Sequence, residues 1–387
     1  MNRRILAGLI GLIGLVVLGG QVQAQRLPLS DAAKASVLTC GPGSEFYTSF
    51  GHSAIRICDT VKGIDLVYNY GTFDFGMPHF YWKFMRGQLD YRLSRSAYDE
   101  FVDEYTWARR SVSEQPLTFA SGQVQNLFVL LETNYLPQYR YYRYDFLRDN
   151  CATRVRDVVY SAWAADTVLH RAAEPRSYRQ LLASCLRDSM EWWRLGVDLL
   201  LGLPADHCCT APERMFLPAE MEAELAQCTT SDERAVPYIV GPSHPLLTLG
   251  RPPLRASFPP VVAFAILFAV VALLSMGKAG RKVALQKTID RVLFVFAGVL
   301  GLFLCFMWFG TDHYCTAWNL NILWLSPLLV LIAIRLERSP RWALWLQDTM
   351  FLAAAVWVVV CGLSTGILPL ILTLALRVAL LLRAKSR

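Results

Sequence analysis

The 387-residue chain lacks the sequence signatures of common nucleotide and metal sites. It has no glycine-rich loop that would cradle a phosphate and no dinucleotide-binding fingerprint. His207, Cys208 and Cys209 are adjacent, but their spacing fits no common zinc pattern. Internal repeats and low-complexity tracts are also absent, which excludes a repeat architecture. The sequence therefore predicts neither a bound metal nor a cofactor.

The N-terminus carries the features of a secretory signal peptide over residues 1–24. Two arginines at 3–4 precede an apolar run at 5–18 and a small-residue cleavage site at 22–24. The run is short for a membrane span, although an uncleaved first anchor is the alternative. The first cysteine is Cys40, so we do not expect the new N-terminus to be lipidated. The sequence therefore predicts an exported chain.

Five apolar stretches near the C-terminus are each long enough, or nearly so, to cross a bilayer. They cover about 259–276, 290–309, 317–334, 346–361 and 365–382. Basic residues follow the first, third and fifth stretches, whereas the other two connections contain no Lys or Arg. The positive-inside rule then places the N-terminal domain outside the cytoplasm, where the signal peptide would also send it.

We therefore predict a signal peptide at 1–24, a periplasmic domain at 25–250 and a transmembrane domain at 251–387. The predicted location is the bacterial inner membrane. The net charge of +7 has a topological explanation, because many Lys and Arg residues lie at predicted cytoplasmic span ends. The charge therefore indicates a membrane partner and no nucleic acid.

A mixed α and β fold is predicted for the exported domain. Residues 52–58 and 64–70 are typical of a hairpin, with Lys62-Gly63 in its turn. The elements expected after it are helices near 79–87 and 96–109, a strand near 111–119, a helix with Ser121 as N-cap that ends before Pro137, a tyrosine-rich strand at 139–146, and a helix from Cys151. A proline-rich linker is expected at 236–260.

Cys151 stands at the start of a predicted helix, directly after Asn150. Asp149 or Asn150 is the candidate N-cap. Free backbone N–H groups and the helix dipole favour a thiolate there, which is the nucleophilic form. About a hundred residues upstream, His52 is the candidate base. The alternatives are a structural cysteine and a hydrogen-bonded core histidine.

The cysteine count favours a reactive thiol. Seven of the ten cysteines fall in the exported region, and this odd number leaves one over if the others pair. Cys40 with Cys58 is one plausible disulfide, and Cys185 with a cysteine of the 208–228 segment is another, although sequence cannot assign connectivity.

Several long motifs closely resemble the Lnb-type family, the membrane-anchored lipoprotein N-acyltransferases of Gram-negative bacteria. They are TCGPGSEFYTSFGHSAIRI, YNYGTFDF, FYWKFMRGQLDYRLS, NYLPQYRYYRYDFLRDNCATRVRD, LGLPAD and WFGTDHYCTAWNLNILWLSP. The resemblance covers nearly the whole mature chain. The order His, then Asn-Cys, is also similar to permuted papain-like enzymes, by analogy of fold alone.

The resemblance implies an α+β permuted papain-like (NlpC-type) domain followed by an all-α bundle of five transmembrane helices. It implies that Cys151 takes an acyl chain from a membrane phospholipid as a thioester. The chain then passes to the α-amino group of a diacylglyceryl-modified lipoprotein, with His52 as base. A third residue orients His52; Asn69 is our choice because it lies in the YNYGTF motif, and Asp65 is the reserve.

Other polar residues are candidate substrate contacts. They are Asn150 and Arg143 near the nucleophile, and Asp312, His313, Asn319 and Asn321 in the loop between the second and third apolar stretches. Structural ion pairs, caps and interfacial anchoring are the alternatives for them.

Two further functions compete with acyl transfer. A membrane-anchored, papain-like amidase or peptidase acting on the cell wall would need the Cys-His pair but not five spans. A membrane scaffold without catalysis would need neither residue.

Overall fold

The computed structural model describes residues 28–163, 168–169, 174–186, 190–230, 239–250, 258–276, 282–364 and 366–386. The predicted signal peptide lies outside these residues, as do parts of the predicted linker.

An antiparallel sheet forms the centre of the N-terminal domain. Its strands are β1 (Lys34–Cys40), β2 (His52–Asp59), β3 (Ile64–Thr72), β4 (Asp90–Ala97), β5 (Val112–Pro116), β6 (Tyr141–Arg143) and β9 (His244–Leu247), while β7 (Val168–Leu169) pairs with β8 (Thr229–Thr230). The spatial order of the seven-stranded sheet is β6-β4-β3-β2-β1-β5-β9.

Helices cover both faces of this sheet and form the C-terminal part of the chain. They are α1 (Phe80–Met85), α2 (Tyr98–Trp107), α3 (Ser121–Tyr135), α4 (Cys151–Trp163), α5 (Tyr178–Cys185), α6 (Glu191–Leu200), α7 (Ala211–Arg214), α8 (Pro218–Leu225), α9 (Pro260–Ser275), α10 (Val283–Phe309), α11 (Leu328–Ile334), α12 (Arg341–Val360) and α13 (Ile367–Ala384). One core lies between the sheet and α3 and α4, and another lies beneath α2.

The predicted hairpin is confirmed as β2 and β3, which pair in antiparallel register. Five other strands had not been predicted, namely β1, β4, β7, β8 and β9, and the last of these lies within the predicted linker. In β1, every residue after Lys34 is buried, so the strand shows no polar alternation. It pairs with β2 on one side and β5 on the other. β4 precedes the confirmed helix α2, which starts at Tyr98 rather than at residue 96.

Two local predictions need correction. Ser121 is the first helical residue of α3, and Ala120 occupies the cap position; the backbone N–H of Ala120 donates to the Gln123 side chain at 2.9 Å. The tyrosine-rich strand is only Tyr141–Arg143, because β6 has just three register partners on β4.

The proposed Cys40–Cys58 disulfide is wrong. Cys40 is opposite His52 in the β1–β2 ladder, whereas Cys58 is opposite Lys34 at its other end. Six residues of strand separate the two positions, which is about 20 Å. Such a distance is far beyond the reach of a disulfide, and both thiols are free. The pairing of Cys185 stays a prediction.

Three helices among the described residues are long and apolar enough to cross a membrane, namely α10, α12 and α13. α9 is apolar but has only 16 residues. The third predicted span is not one continuous helix: segments Tyr314–Leu323 and Leu328–Ile334 meet at 41°. Pro327 explains the break, since a proline disfavours helical geometry in the residue before it. Counted as one span, the bent pair makes the fourth.

Candidate active site

Cys151 is the first residue of α4, and its thiol is free. Asn150 caps the helix, because its Oδ1 accepts hydrogen bonds from the backbone N–H groups of Ala152 and Thr153 at 2.8 and 3.0 Å. The predicted capping role is confirmed. The cap fixes the first turn, so the side chain of Cys151 projects from the positive end of the helix dipole.

The remaining contacts of Asn150 are also within the fold. Its Nδ2 donates to the carbonyl oxygens of Phe146 and Phe216 at 2.9 and 2.8 Å, and the residue is 2% exposed. Both donors and the acceptor of the amide are therefore occupied by the protein. These contacts favour the structural alternative, a cap, and a role in substrate binding stays a prediction.

Cys151 lies where the central strands lose their regular pairing. Gly71 on β3 has a φ of +86°, and a β-carbon built there would lie 3.4 Å from the β-carbon of Cys151. The β3–β4 register shifts between Asn69 and Thr72. On the neighbouring strand, the backbone N–H of Ser53 lies close enough to the Cys151 sulfur to lower the pKa of the thiol. The thiol is thus next to the residue that follows His52.

The surroundings of the Cys151 thiol shift its pKa in two opposing directions. Burial, the largest influence, raises the pKa of Cys151 above that of an exposed thiol. Backbone N–H groups of Ser53, Ala152 and Cys151 itself lower this pKa, and so does the positive charge of Arg110. The raised pKa keeps the resting thiol protonated at neutral pH, so a base is needed before it attacks.

His52 makes the contact that the sequence analysis assigned to it. Its Nε2 lies 3.2 Å from Oδ1 of Asn69, one strand away. An amide oxygen can only accept, so Nε2 carries the hydrogen and donates it. In a neutral imidazole this leaves the lone pair on Nδ1.

Burial lowers the pKa of His52 to about 4. The Arg110 charge lowers this pKa further, whereas the hydrogen bond with Asn69 raises it. The imidazole is therefore neutral at pH 7, the form in which Nδ1 accepts a proton.

Arg110 is the residue of this site that sequence reasoning missed. It is 9% exposed, and its Nε donates to the Gly41 carbonyl at 2.8 Å. Its guanidinium carbon lies 4.9 Å from the centre of the Tyr105 ring. Nη2 is buried and has no hydrogen-bond partner among the described residues. Nothing in the local sequence marks Arg110, because its side-chain hydrogen bond goes to Gly41, which lies 69 residues earlier in the chain.

Asp65 is not placed to orient His52. It forms a bidentate ion pair with Arg56, at 2.8 Å to Nε and 2.7 Å to Nη2. It is also opposite Cys58 in the β2–β3 ladder, at the far end of β2 from His52. The reserve prediction is therefore wrong.

Arg143, Asp312 and His313 make contacts within the fold and remain partly accessible. Arg143 pairs with Asp90 at 3.4 Å, and its side chain is 61% exposed. The other two residues join the membrane part to the end of α1. Asp312 Oδ2 accepts from the Gln88 side chain at 3.0 Å, and His313 Nε2 lies 3.0 Å from the carbonyl oxygen of Phe84. A role for these three in substrate binding stays a prediction.

Asn319 and Asn321 are buried and hold the C-terminal end of α6. Nδ2 of Asn319 donates to the carbonyls of Leu199 and Leu200 at 2.8 and 3.0 Å. Nδ2 of Asn321 donates to those of Asp198 and Leu199 at 2.9 and 3.2 Å.

The oxygens of these two amides are occupied as well. Oδ1 of Asn319 accepts from the backbone N–H of Asn321 at 2.9 Å, and Oδ1 of Asn321 accepts from Trp324 Nε1 at 2.9 Å. Both amides therefore satisfy the open carbonyls of a helix end, which favours a structural role, and their role as substrate contacts stays a prediction.

Comparison with known families gives two matches. The Lnb N-terminal periplasmic domain matches residues 24–184, and the Lnb transmembrane domain matches residues 254–387. Searches of curated proteins and of solved structures find no match. The two matched segments include strands β1 to β6, the α4 cysteine and the apolar helices, whereas β9 lies between them. The chain therefore belongs to the Lnb family and is a multi-pass membrane protein with a periplasmic domain.

Proposed function

We propose that this protein is a phospholipid-dependent lipoprotein N-acyltransferase that carries the acyl chain on Cys151. The observation that carries the proposal is the hydrogen bond between His52 and Asn69, which leaves Nδ1 of a neutral imidazole as the base. A free thiol at a helix start and a membrane domain in the same chain support it.

In the first half-reaction, His52 Nδ1 takes the proton of the Cys151 thiol. The thiolate attacks the ester carbonyl of a membrane phospholipid, forming a carbon–sulfur bond. When the tetrahedral intermediate collapses, the carbon–oxygen bond breaks. The protonated imidazole returns its proton to the leaving oxygen, and a lysophospholipid departs.

In the second half-reaction, the acceptor is the α-amino group of the diacylglyceryl-modified cysteine of a lipoprotein. The amine attacks the thioester, a carbon–nitrogen bond forms and the carbon–sulfur bond breaks. His52 accepts the proton that the amine loses and passes it to the leaving thiolate. The products are an amide-linked acyl chain and the restored thiol.

Backbone N–H groups are available for the oxyanion of each intermediate. Those of Ser53 and Cys151 lie close enough to the sulfur to lower the pKa of the thiol, whereas the N–H of Ala152 already donates to Oδ1 of Asn150. Fixed donors of this kind are worth several kcal/mol in acyl transfer. Burial of Cys151 at 9% exposure also limits access of water, which would otherwise hydrolyse the thioester.

We also propose that the N-terminal domain has a permuted papain-like arrangement. A helix-borne cysteine packs against an antiparallel sheet that supplies the histidine and the asparagine from successive strands. The proposed setting is the bacterial inner membrane, with the bent pair and α9 completing five crossings.

Substitution of the nucleophile tests the function. In cells that carry Cys151→Ser, the N-terminal peptide of a resident lipoprotein is expected to lose the mass of its amide-linked chain. Cys58→Ser is the matched control, because Cys58 is also a free thiol and lies on β2, at the end of the strand away from His52. In the purified wild type, a hydroxylamine-sensitive acyl group is expected on Cys151.

The outcomes separate the competing functions. An amide-linked chain that persists in Cys151→Ser cells would refute transfer through this residue. Cleaved cell-wall peptides that depend on Cys151, without any acyl group on it, would favour the amidase. If neither lipoprotein nor cell wall changes, a scaffold without catalysis is the better interpretation.

A further inference from the structure

Helix α1 and the turn before it expose large rings. The side chains of Phe75, Tyr81, Trp82 and Phe84 are 63%, 80%, 51% and 52% exposed. We call these four residues the α1 aromatic face. Apolar surface of this extent on a short helix indicates an apolar partner.

The α1 aromatic face continues the surface of a membrane helix. The Trp82 ring stacks on Phe306 of α10, with 6.1 Å between ring centroids. Phe306 lies one turn from the C-terminal end of α10 at Phe309, whose own side chain is 74% exposed. These exposed rings at the periplasmic end of a spanning helix are therefore level with the periplasmic leaflet.

Hydrogen bonds fix α1 at this position. The backbone N–H of Asp312 donates to the carbonyl oxygen of Arg86 at 2.9 Å, and Asp312 Oδ2 accepts from Gln88 at 3.0 Å. Gly87 has a φ of +67°, and a β-carbon there would lie 3.3 Å from the backbone carbon of Asp312. The short helix therefore cannot lift away from α10 without breaking these contacts.

A continuous series of rings leads from the α1 aromatic face into the domain. Phe84 stacks on Phe80 at 6.2 Å, and Phe80 lies 5.8 Å from Phe73. Phe73 lies 5.3 Å from Tyr91, which stacks on Tyr144 at 4.3 Å.

The series ends beside the nucleophile. A β-carbon at Gly71 would lie 3.4 Å from Cε2 of Tyr144 and 3.4 Å from the β-carbon of Cys151. The space that a side chain at Gly71 would fill therefore lies between the last ring and Cys151.

We propose that the α1 aromatic face binds an acyl chain of a phospholipid in the periplasmic leaflet and directs its ester along the ring series to Cys151. This inference rests on the proposed function for its last step. The occupant is lipid because the face is continuous with the lipid-facing surface of α10. The binding step stands without any chemistry, so it has its own test.

The binding test uses the full-length protein in vesicles of palmitoyl-oleoyl phosphatidylethanolamine and phosphatidylglycerol. Benzoylphenylalanine replaces Trp82 in one variant and Trp107 in the control. Trp107 is 89% exposed at the end of α2 and belongs to no part of the α1 aromatic face. After irradiation, phospholipid adducts are expected on the first variant alone. Equal adducts on both variants, or none on the first, would overturn the inference.

The delivery test compares two acyl donors. The triple variant Tyr81→Ser, Trp82→Ser, Phe84→Ser is expected to acylate Cys151 from vesicle phospholipid at least about tenfold more slowly, because contacts with three rings are lost. Acylation from water-soluble p-nitrophenyl butyrate is expected to change little, since the side chains lie on the surface. Trp107→Ser is expected to alter neither rate.

The results distinguish this inference from the proposed function. Equal slowing with both donors would overturn delivery, because the substitutions would then have disturbed the site itself. A wild type that phospholipid never acylates would refute the proposed function, while the lipid adducts at position 82 would still support the binding surface.

Discussion

Arg110 influences both partners of the candidate catalytic pair, although it was not among the residues expected from the sequence. Its positive charge lowers the pKa of Cys151 and that of His52. A buried cation whose Nη2 has no hydrogen-bond partner among the described residues is costly, so its influence on the thiol indicates use of its charge. The charge favours the thiolate and opposes protonation of the base.

Removal of this charge is therefore expected to raise the pKa of Cys151. The test is the pH dependence of Cys151 alkylation by iodoacetamide, followed by mass spectrometry, because only the thiolate reacts. In Arg110→Met the midpoint is expected to move to higher pH, and Arg110→Lys is expected to restore much of the wild-type profile. Arg95→Met is the control, because Arg95 pairs with Glu132 away from the site. An unchanged midpoint in Arg110→Met would show that Arg110 is merely structural.

Sequence reasoning found His52, Asn69 and Cys151 because each lies in a distinctive local pattern. The structure supports their placement with one hydrogen bond and one helix start. Sequence reasoning could not predict Arg110, because its hydrogen-bond partner Gly41 lies 69 residues earlier in the chain. It also treated buried amides such as Asn321 as ligands, since burial of a polar side chain is not visible in composition.

The hairpin of β2 and β3 was predictable because alternation and a Lys62-Gly63 turn are local signals. Strand β1 was not, since it is buried on both faces and resembles any short apolar run. The third apolar stretch had enough hydropathy for a span, but Pro327 breaks it. Mean hydropathy measures how apolar a segment is, and it does not show where the backbone hydrogen bonds of a helix are interrupted.

Within the membrane part, one ion pair joins two helices. Arg377 on α13 and Asp290 on α10 are 2.6 Å apart, and both side chains are 2% exposed. Nη1 of Arg377 also donates to Ser275 and Gln286 at 2.6 Å each. Every charge in this group therefore has a partner, which is the condition under which buried charges are tolerated.

Removal of only one partner of this ion pair is expected to lower the free energy of unfolding. Arg377→Leu leaves the Asp290 carboxylate buried without its partner, and we expect a loss of about 3–5 kcal/mol in the free energy of unfolding. Thermal unfolding in detergent measures the effect. Lys287→Leu, which removes the more exposed pair with Glu337, is expected to cost less than about 1 kcal/mol. The double variant Asp290→Leu, Arg377→Leu is expected to recover most of the loss; if it were as unstable as the single variant, packing rather than charge would be the cause.

The two parts of the chain are joined by contacts that span more than a hundred residues. Asn321 reaches back to the end of α6, and Oδ2 of Asp198 on that helix accepts from the backbone N–H of Ser364 at 2.9 Å. Arg148, three residues before Cys151, lies over the Tyr314 ring at 2.9 Å. The sequence predicted a periplasmic and a membrane part, but pairings this distant leave no local trace. They hold the domain that carries the candidate site against the membrane helices.

Weakening the contacts between the two parts of the chain is expected to slow acylation from membrane phospholipid more than acylation from a soluble ester. In Asn321→Leu, the buried indole N–H of Trp324 loses its partner, at a cost of about 1–3 kcal/mol. The carbonyls of Asp198 and Leu199 each lose one of their two donors but keep Arg179 and Asn319, respectively. We expect a lower unfolding temperature and slower acylation of Cys151 from vesicle phospholipid, with acylation from a soluble ester largely kept. Gln227→Leu is the control, because this exposed amide bonds only within its own helix end. If the Asn321→Leu protein were destabilised but acylated from vesicles at the wild-type rate, the junction would support stability without positioning the site.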